Sequence, residues 1–210
     1  MVLRTLVAVA LLLAAPLLSG HTAGAAPAAL ACNGYVALTY DDGPNAQYTR
    51  PLLSALRSAG ARATFFDLGS RVQQQPQLTR EVAQAGMWVG NHSWSHPYLT
   101  NLSAAAVAKE LGDTQNAIRN ATGQTPTLFR PPYGATNATV LGEARKLGLT
   151  QVIWTVDSQD WNGASTDAIV RAATGAGAGG VVLMHASYQT TVNAVPRIVQ
   201  GLAAKNLCPG

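Results

Sequence analysis

The chain has 210 residues, with 14 Lys or Arg against 10 Asp or Glu, so its formal net charge is +4 at pH 7. This positive charge is too weak and too scattered along the chain to indicate nucleic-acid binding. The length suits a single domain with a sizeable core.

The first 31 residues differ from the rest of the chain. Arg4 precedes an apolar run from Leu6 to Leu18 that only Pro16 interrupts, and small residues follow it. This run is too short to span a bilayer, so we predict a secretory signal peptide with a short leader over residues 1–31. Its removal takes away Arg4 and leaves a net charge of +3. No other stretch could cross a membrane, and we expect a secreted, extracellular, monomeric protein with no membrane partner.

Residues 32–208 are predicted to form one catalytic domain. Cys32 and Cys208, the only cysteines, bracket it. In an oxidising compartment they are expected to form a disulfide, which would stabilise the fold by roughly 4–5 kcal/mol on the chain-entropy model. The alternative is two free thiols, which is unfavourable outside the cell.

Along the domain, short apolar stretches alternate with stretches of helical periodicity. The predicted strands are 36–40, 63–68, 87–90, 127–129, 151–156 and 181–184. The predicted helices are 47–59, 77–85, 104–120 (with Ser103 as N-cap), 138–147, 166–174 and 192–204. Strict alternation implies a parallel sheet. We therefore predict an α/β fold, a distorted or incomplete (β/α) barrel of six to seven parallel strands, with a doubly wound open sheet as the alternative.

Polar residues cluster just after the predicted strands, at the rim where barrels and open α/β sheets build active sites. Asp41 and Asp42 end the first strand, directly before Gly43-Pro44. Neighbouring side chains on an extended backbone point in opposite directions, so one carboxylate could bind a metal while the other serves as a base. The alternative interpretation is an ordinary turn, because Asp, Gly and Pro are common turn residues.

His92 and His96 follow the third strand, and Pro97 disfavours a helix at His96, which places both in a loop. Two imidazoles and either Asp42 or Asp41 form a set that leaves coordination positions open for water and substrate. Zinc is the expected ion, and cobalt is a second candidate because it takes similar ligands.

Five other rim residues each allow two interpretations. Arg130, before Pro131-Pro132, is either a surface residue or a cation that keeps a carboxylate ionised. Asp157 and Asp160 are turn residues or site residues, and Trp161 belongs to the core or to a sugar platform. His185 ends an apolar strand, a position that favours catalysis over burial.

Some chemistries have no signature in the chain. We find neither the G-x-S-x-G motif of serine hydrolases nor the H-E-x-x-H motif of common metalloproteases. Hydrolysis by a metal-activated water is the best remaining chemistry.

Five ordered blocks resemble the polysaccharide deacetylases of carbohydrate esterase family 4, the NodB homology domain. They are 39–43 (TYDDG), 92–96 (HSWSH), 130–133 (RPPY), 157–161 (DSQDW) and 183–185 (LMH). The segment 151–154, the block 157–161 and the terminal cysteines are similar to the secreted bacterial acetylxylan esterases of that family. Two departures are Tyr40, where Phe is usual, and Ala186, where many members carry Asp.

The resemblance implies a role for each matching residue. Asp42, His92 and His96 would hold the divalent ion, Asp41 would be the general base, and Arg130 would pair with Asp41. The remaining roles concern the intermediate and the acetyl pocket: oxyanion stabilisation by the backbone N–H of Tyr133, general acid catalysis by His185 oriented by Asp160, and pocket walls formed by Trp161 and Leu183.

The resemblance implies metal-dependent removal of O-acetyl groups from an acetylated polysaccharide, acetylxylan in the first place. N-deacetylation of chitin-type oligosaccharides or peptidoglycan is the alternative within the class. A secreted carbohydrate-binding module with a structural metal is the alternative outside it, and it gives Asp41, Arg130, Asp160 and His185 no reason to converge.

Overall fold

A computed structural model describes residues 32–210, so the predicted signal segment lies outside the described residues. The strands are β1 (Tyr35–Gly43), β2 (Thr64–Asp67), β3 (Trp88–Asn91), β4 (Leu128–Phe129), β5 (Thr150–Gln151), β6 (Val156–Asp157), β7 (Val181–His185) and β8 (Cys208–Pro209). The α-helices are α1 (Thr49–Ser58), α2 (Gly69–Gln74), α3 (Pro76–Gln84), α4 (Ala104–Thr122), α5 (Ala138–Lys146), α6 (Thr166–Gly175) and α7 (Gln189–Ala203).

The strands form one sheet in the order β5-β4-β3-β2-β1-β7-β6, with β8 paired to β1 outside this path. Every pairing between these strands is parallel. The two edge strands, β5 and β6, are consecutive in the chain. The sheet therefore curls into an incomplete barrel of seven parallel strands, and the predicted fold class is confirmed.

The prediction of one strand over 151–156 is wrong. The chain pairs with β4 through β5, and the N–H of Val152 still donates to Phe129 O at 2.8 Å. By Thr155 the partner has changed, because its N–H donates to Val181 O at 2.9 Å, and β6 then pairs with β7. Hydrophobic periodicity identifies an apolar stretch but not the strands it pairs with. Here a single apolar stretch runs from one edge of the barrel to the other.

Most helices lie where periodicity predicts them, and side-chain caps mark the starts of α4, α5 and α6. The Ser103 side chain accepts a hydrogen bond from Ala106 N at the start of α4, and Gly123 ends that helix with a φ of 77°. Helix α2 was not predicted, since its sequence is short and polar and Val72 is its only large buried side chain. Helix α7 begins at Gln189, three residues before the predicted start.

The central strand β1 separates the main core from the site. Val36, Leu38 and Tyr40 are fully buried in a cluster with side chains of α1, α6 and α7. Thr39 and Asp41 alternate with them and contact Arg130 instead. The two-residue period of a strand thus gives β1 one face in the hydrophobic core and a second, polar face that contacts Arg130.

The termini of the described chain are joined covalently. Cys32 and Cys208 form a disulfide with a Cα–Cα distance of 5.6 Å, which is the pairing expected from the sequence. Within residues 32–210, no helix has both the length and the apolar character needed to cross a membrane.

Candidate active site

A cavity of about 390 Å³ lies at the carboxyl ends of the barrel strands. It is lined by Asp41, Asp42, His92, His96, Tyr133, Trp154, Asp157, Trp161, Leu183 and His185. Arg130 and Asp160 are buried behind this wall and reach it through Asp41 and His185. A second cavity, of about 590 Å³, lies beside α2, α3 and α4 and contains none of the predicted site residues. The structure thus brings all the predicted site residues of the rim to one place.

Two histidines and one carboxylate converge at one end of this cavity. Asp42 Oδ1 lies 3.6 Å from His92 Nε2 and 3.6 Å from His96 Nε2, distances too long for hydrogen bonds. Asp42 Oδ1 is buried, yet it has no hydrogen-bond partner among the described residues. The three candidate ligand atoms lie within 4.8 Å of one another. This donor set fits a divalent cation with tetrahedral coordination and an open position.

Neighbouring groups favour protonation states of both imidazoles in which a ring nitrogen could bind a metal. His92 Nδ1 lies 2.7 Å from the carbonyl oxygen of Arg130. A carbonyl can only accept, so Nδ1 carries the proton and the Nε2 lone pair is left for an ion. Burial and the nearby His92 lower the pKa of His96, although Asp42 and Asp41 oppose the shift. The lower pKa favours the neutral, ligating form of His96.

Asp41 is paired with a buried cation through one of its two carboxylate oxygens. Its Oδ1 accepts a 2.8 Å hydrogen bond from Arg130 Nη1, while its Oδ2 lies 3.7 Å from His92 Nε2. Arg130 is fully buried and also donates to Thr39 Oγ1 at 2.7 Å. Thr39 was not singled out in the sequence, because nothing local shows that it faces Arg130. The adjacent carboxylates therefore have different partners.

His185 lines the pocket at the end of β7, on the other side of β1 from β3 and His92, and Asp160 is buried behind it. His185 Nδ1 lies 2.8 Å from Asp160 Oδ1, and His185 N donates to Asp160 Oδ2 at 2.7 Å. Thr191 Oγ1 donates to the same carboxylate at 2.7 Å. Burial lowers the pKa of His185, but the hydrogen bond and charge of Asp160, together with the charges of Asp41 and Asp42, outweigh burial and raise it. Asp160 therefore orients the ring and favours its protonated form.

Two tryptophans complete the wall. Trp161 is half-exposed, and its Nε1 lies 3.3 Å from each carboxylate oxygen of Asp157. Trp154 lines the same cavity and packs over Gly134. Sequence reasoning missed Trp154 as a site residue, because it lay inside the stretch predicted to be one strand.

Unusual backbone conformations are concentrated at the site. Among the described residues, six that are not glycine have positive φ. Five of them belong to site segments: Asp42, Ser93, His96, Tyr133 and Gln159. Such backbone conformations cost free energy and persist only where surrounding contacts hold them, which is common at functional sites. One such contact is the hydrogen bond from Arg71 Nη1 to the carbonyl oxygen of Asp42.

Comparisons with known proteins found one family whose members are similar to this chain. Residues 31–152 match the family model for polysaccharide deacetylases. A bifunctional xylanase/xylan deacetylase from Cellvibrio japonicus is 46% identical over 181 residues, covering 85% of this chain and 27% of the relative. A peptidoglycan-N-acetylmuramic acid deacetylase from Bacillus subtilis is 41% identical over 168 residues, covering 80% and 35%. The chain thus spans about a third or less of these two curated relatives.

A solved structure extends the match to the whole fold. A family 4 carbohydrate esterase from Streptomyces lividans, in complex with acetate, superposes with a TM-score of 0.84 at 56% identity. The match covers 86% of this chain and 93% of that one. The family match, the identity and the incomplete barrel agree, and the chain belongs to the polysaccharide deacetylases of carbohydrate esterase family 4.

Proposed function

We propose that this chain is a metal-dependent hydrolase that removes O-acetyl groups from acetylxylan. The observation that carries the proposal is the division of the acidic pair within one cavity. Asp42 faces two histidines, Asp41 is paired with Arg130, and His185 with its carboxylate lies opposite. A binding module with a structural metal would need only the first of these three arrangements.

The metal end of the pocket would hold the ion through Asp42, His92 and His96. Zinc is our first choice and cobalt the second, since both accept this ligand set. When bound, a divalent ion polarises the acetyl carbonyl and makes a water acidic enough to act as the nucleophile near neutral pH.

Asp41 is the proposed general base. Its Oδ2 is directed towards the ligand cluster, while Arg130 holds Oδ1. Because Arg130 holds this carboxylate and is itself held by Thr39 Oγ1, Asp41 stays positioned to take a proton from an attacking water. Asp41 directly precedes the proposed ligand Asp42 in the chain. It therefore lies beside the cluster of Asp42, His92 and His96 but is not one of the three proposed ligands.

His185 is the proposed general acid. The Asp160 carboxylate can only accept, so His185 Nδ1 donates to it and Nε2 remains to protonate the departing sugar oxygen. The raised pKa of His185 keeps the ring charged to higher pH than an ordinary histidine. Asp160 acts through His185 and is a positioning residue.

Tyr133, Trp161 and Leu183 are the proposed acetyl pocket. The N–H of Tyr133 has no hydrogen-bond acceptor within residues 32–210, so it is free to stabilise a developing oxyanion. Leu183 is almost fully buried in the pocket wall, and Trp161 is half-exposed at its edge. The apolar side chains of Leu183 and Trp161 would contact the methyl group of the acetyl.

We further propose that residues 1–31 form a secretory signal with a short leader, that residues 32–208 form the single catalytic domain, and that the mature protein acts outside the cell as a monomer. The disulfide between Cys32 and Cys208 supports an oxidising compartment. N-deacetylation of peptidoglycan or chitin-type glycans is the second candidate, because one relative at 41% identity is a peptidoglycan deacetylase.

Acetate release decides between these activities. Acetylxylan, a chitin hexamer and peptidoglycan are compared, using protein stripped by a chelator and then reloaded with zinc or cobalt. We expect no activity without metal, restored activity with it, and the highest kcat/KM on acetylxylan. Asp42→Asn should lose bound metal and activity together, whereas Asp113→Asn, a surface control on α4, should change neither. Full activity in the stripped protein would refute metal dependence, and a preference for either N-acetylated substrate would reassign the substrate.

A further inference from the structure

The large exposed side chains of the described chain are unevenly distributed. Six apolar or aromatic residues of this kind are exposed: Tyr35, Trp88, Tyr98, Tyr133, Ile153 and Trp161. Tyr133 and Trp161 line the active-site cavity, and Tyr98 stacks on Tyr133. Clustered exposed aromatics mark a binding surface more often than they occur by chance.

Tyr98 is the outermost ring of a stack that begins at the metal end of the pocket. His96 meets Tyr133 edge to face, with ring centroids 4.5 Å apart and planes at 70°. Tyr133 then stacks on Tyr98, with centroids 3.9 Å apart and planes at 14°. Tyr98 is 50% exposed although Tyr133 covers one of its faces, so its opposite face is open to solvent. No other ring contacts Tyr98 within the described residues.

The position of Tyr98 is fixed by its neighbours in the chain. Pro97 restricts the backbone before it. Leu99, directly after it, is almost fully buried in a core cluster with α4 and α5. The carbonyl oxygen of Tyr98 accepts a hydrogen bond from Asn101 N at 3.0 Å. A ring held in this way loses little conformational entropy when a ligand binds to it.

The chemistry of a flat, exposed ring suits a sugar. A pyranose presents a face of C–H groups that packs on an aromatic ring while its hydroxyls remain in water. Trp161 bounds the same cavity, so aromatic rings are available on more than one side of the catalytic groups. We propose that Tyr98 is a sugar-stacking residue for a unit of the glycan chain beyond the one whose acetyl group enters the pocket.

This inference rests on the proposed function, because it takes the substrate to be a glycan. It adds that the enzyme recognises a chain of sugars rather than one acetylated unit, and it names the residue that extends the cleft past Tyr133. A purely structural Tyr98 would only cover Tyr133. The two roles differ in one measurable property, the dependence of affinity on oligosaccharide length.

Binding of unacetylated oligosaccharides tests this without any catalytic step. Calorimetry with the zinc-loaded protein gives Kd for xylobiose, xylohexaose, and the dimer and hexamer of glucosamine, the unacetylated counterpart of the chitin-type sugar. The variants are Tyr98→Ala, Tyr98→Phe, which keeps the flat ring, and Tyr35→Ala, a matched exposed tyrosine near the disulfide. Zinc content and the circular dichroism spectrum are measured for each.

In the wild type the hexamer of one series should bind more tightly than its dimer. Tyr98→Ala should reduce this hexamer-to-dimer ratio about tenfold, which is the order of one stacking contact. Tyr98→Phe and Tyr35→Ala should keep the wild-type ratio. An unchanged ratio in a folded, zinc-loaded Tyr98→Ala variant overturns the proposal, and so does equal wild-type affinity for dimer and hexamer in both series. Length-dependent binding without acetate release from any substrate would instead refute the proposed function.

Discussion

Asp67 offers a quantitative test of the packing beneath the active site. It ends β2 beside Gly43, and its side chain is almost fully buried. Oδ2 accepts a hydrogen bond from Thr79 Oγ1 at 2.8 Å, but Oδ1 has no partner among the described residues. Burial raises the pKa of Asp67 from 3.8 to about 7, against the opposing effects of the Thr79 hydrogen bond and the Arg71 charge.

The sign of the resulting pH dependence follows from proton uptake. Between about pH 4 and pH 7 the folded state keeps a proton on Asp67 that the unfolded state has released. The free energy of unfolding must therefore fall as the pH rises through this window, and level off above it. A difference of about three units corresponds to roughly 4 kcal/mol at about 1.4 kcal/mol per unit. Relaxation around the charged group would reduce this, so we expect a loss of about 2–4 kcal/mol.

Asp67→Asn removes the titrating group while keeping an oxygen for Thr79. Urea unfolding at intervals from pH 4 to pH 8, in the presence of a chelator, gives the difference between variant and wild type. The variant should gain about 2–4 kcal/mol relative to the wild type between these limits. Asp113→Asn, which removes a surface carboxylate from α4, should leave the wild-type slope unchanged. The reasoning is refuted if Asp67→Asn and wild type differ by the same amount at pH 4 and pH 8.

Four further variants address the core and the catalytic roles. Tyr40→Phe should raise the free energy of unfolding by about 1 kcal/mol, because the buried Tyr40 hydroxyl has no partner among the described residues; a loss in urea unfolding would contradict this. Asp41→Asn should lower kcat on acetylxylan by about 10²–10⁴-fold while keeping bound zinc, and loss of the metal would reassign Asp41. His185→Ala should slow acetylxylan more than an activated aryl acetate, whose leaving group needs little protonation; equal losses would argue against the acid role. Asp160→Asn should lower the pKa of His185, so the alkaline limb of the kcat/KM profile should move to lower pH, since an acid is lost as the pH rises through its pKa. An unmoved limb would exclude His185 as the titrating acid.

Local sequence determined most of the secondary structure and the composition of the site. The first strand, the capped helix after Ser103 and the loop that carries His92 and His96 follow from periodicity, capping and proline alone. These features depend on neighbours within a few residues, so a single sequence contains the information. The five motif blocks also predicted candidate site residues at or just after strand ends, and these residues lie there in the structure.

Tertiary structure decided which strands are neighbours and which side chains meet. The segment 151–156 looks like one apolar strand, but its two ends belong to the two edge strands of the barrel, β5 paired with β4 and β6 paired with β7. That division brings Trp154 into the cavity. The strand order itself, with β1 between β2 and β7, depends on residues far apart in the chain.

The same distinction holds for individual contacts. The partner of Arg130 lies 89 residues away at Asp41, and the stack of Tyr98 on Tyr133 joins two separate loops. A residue type shows which interactions a side chain is able to make, and chain folding shows which of them it makes. Here the sequence determined that two carboxylates, three histidines and an arginine stand at the ends of strands. Only the order and curvature of the strands in the incomplete barrel decided that one carboxylate faces two imidazoles while its neighbour faces a buried guanidinium. That outcome depends on residues from several strands meeting at one rim.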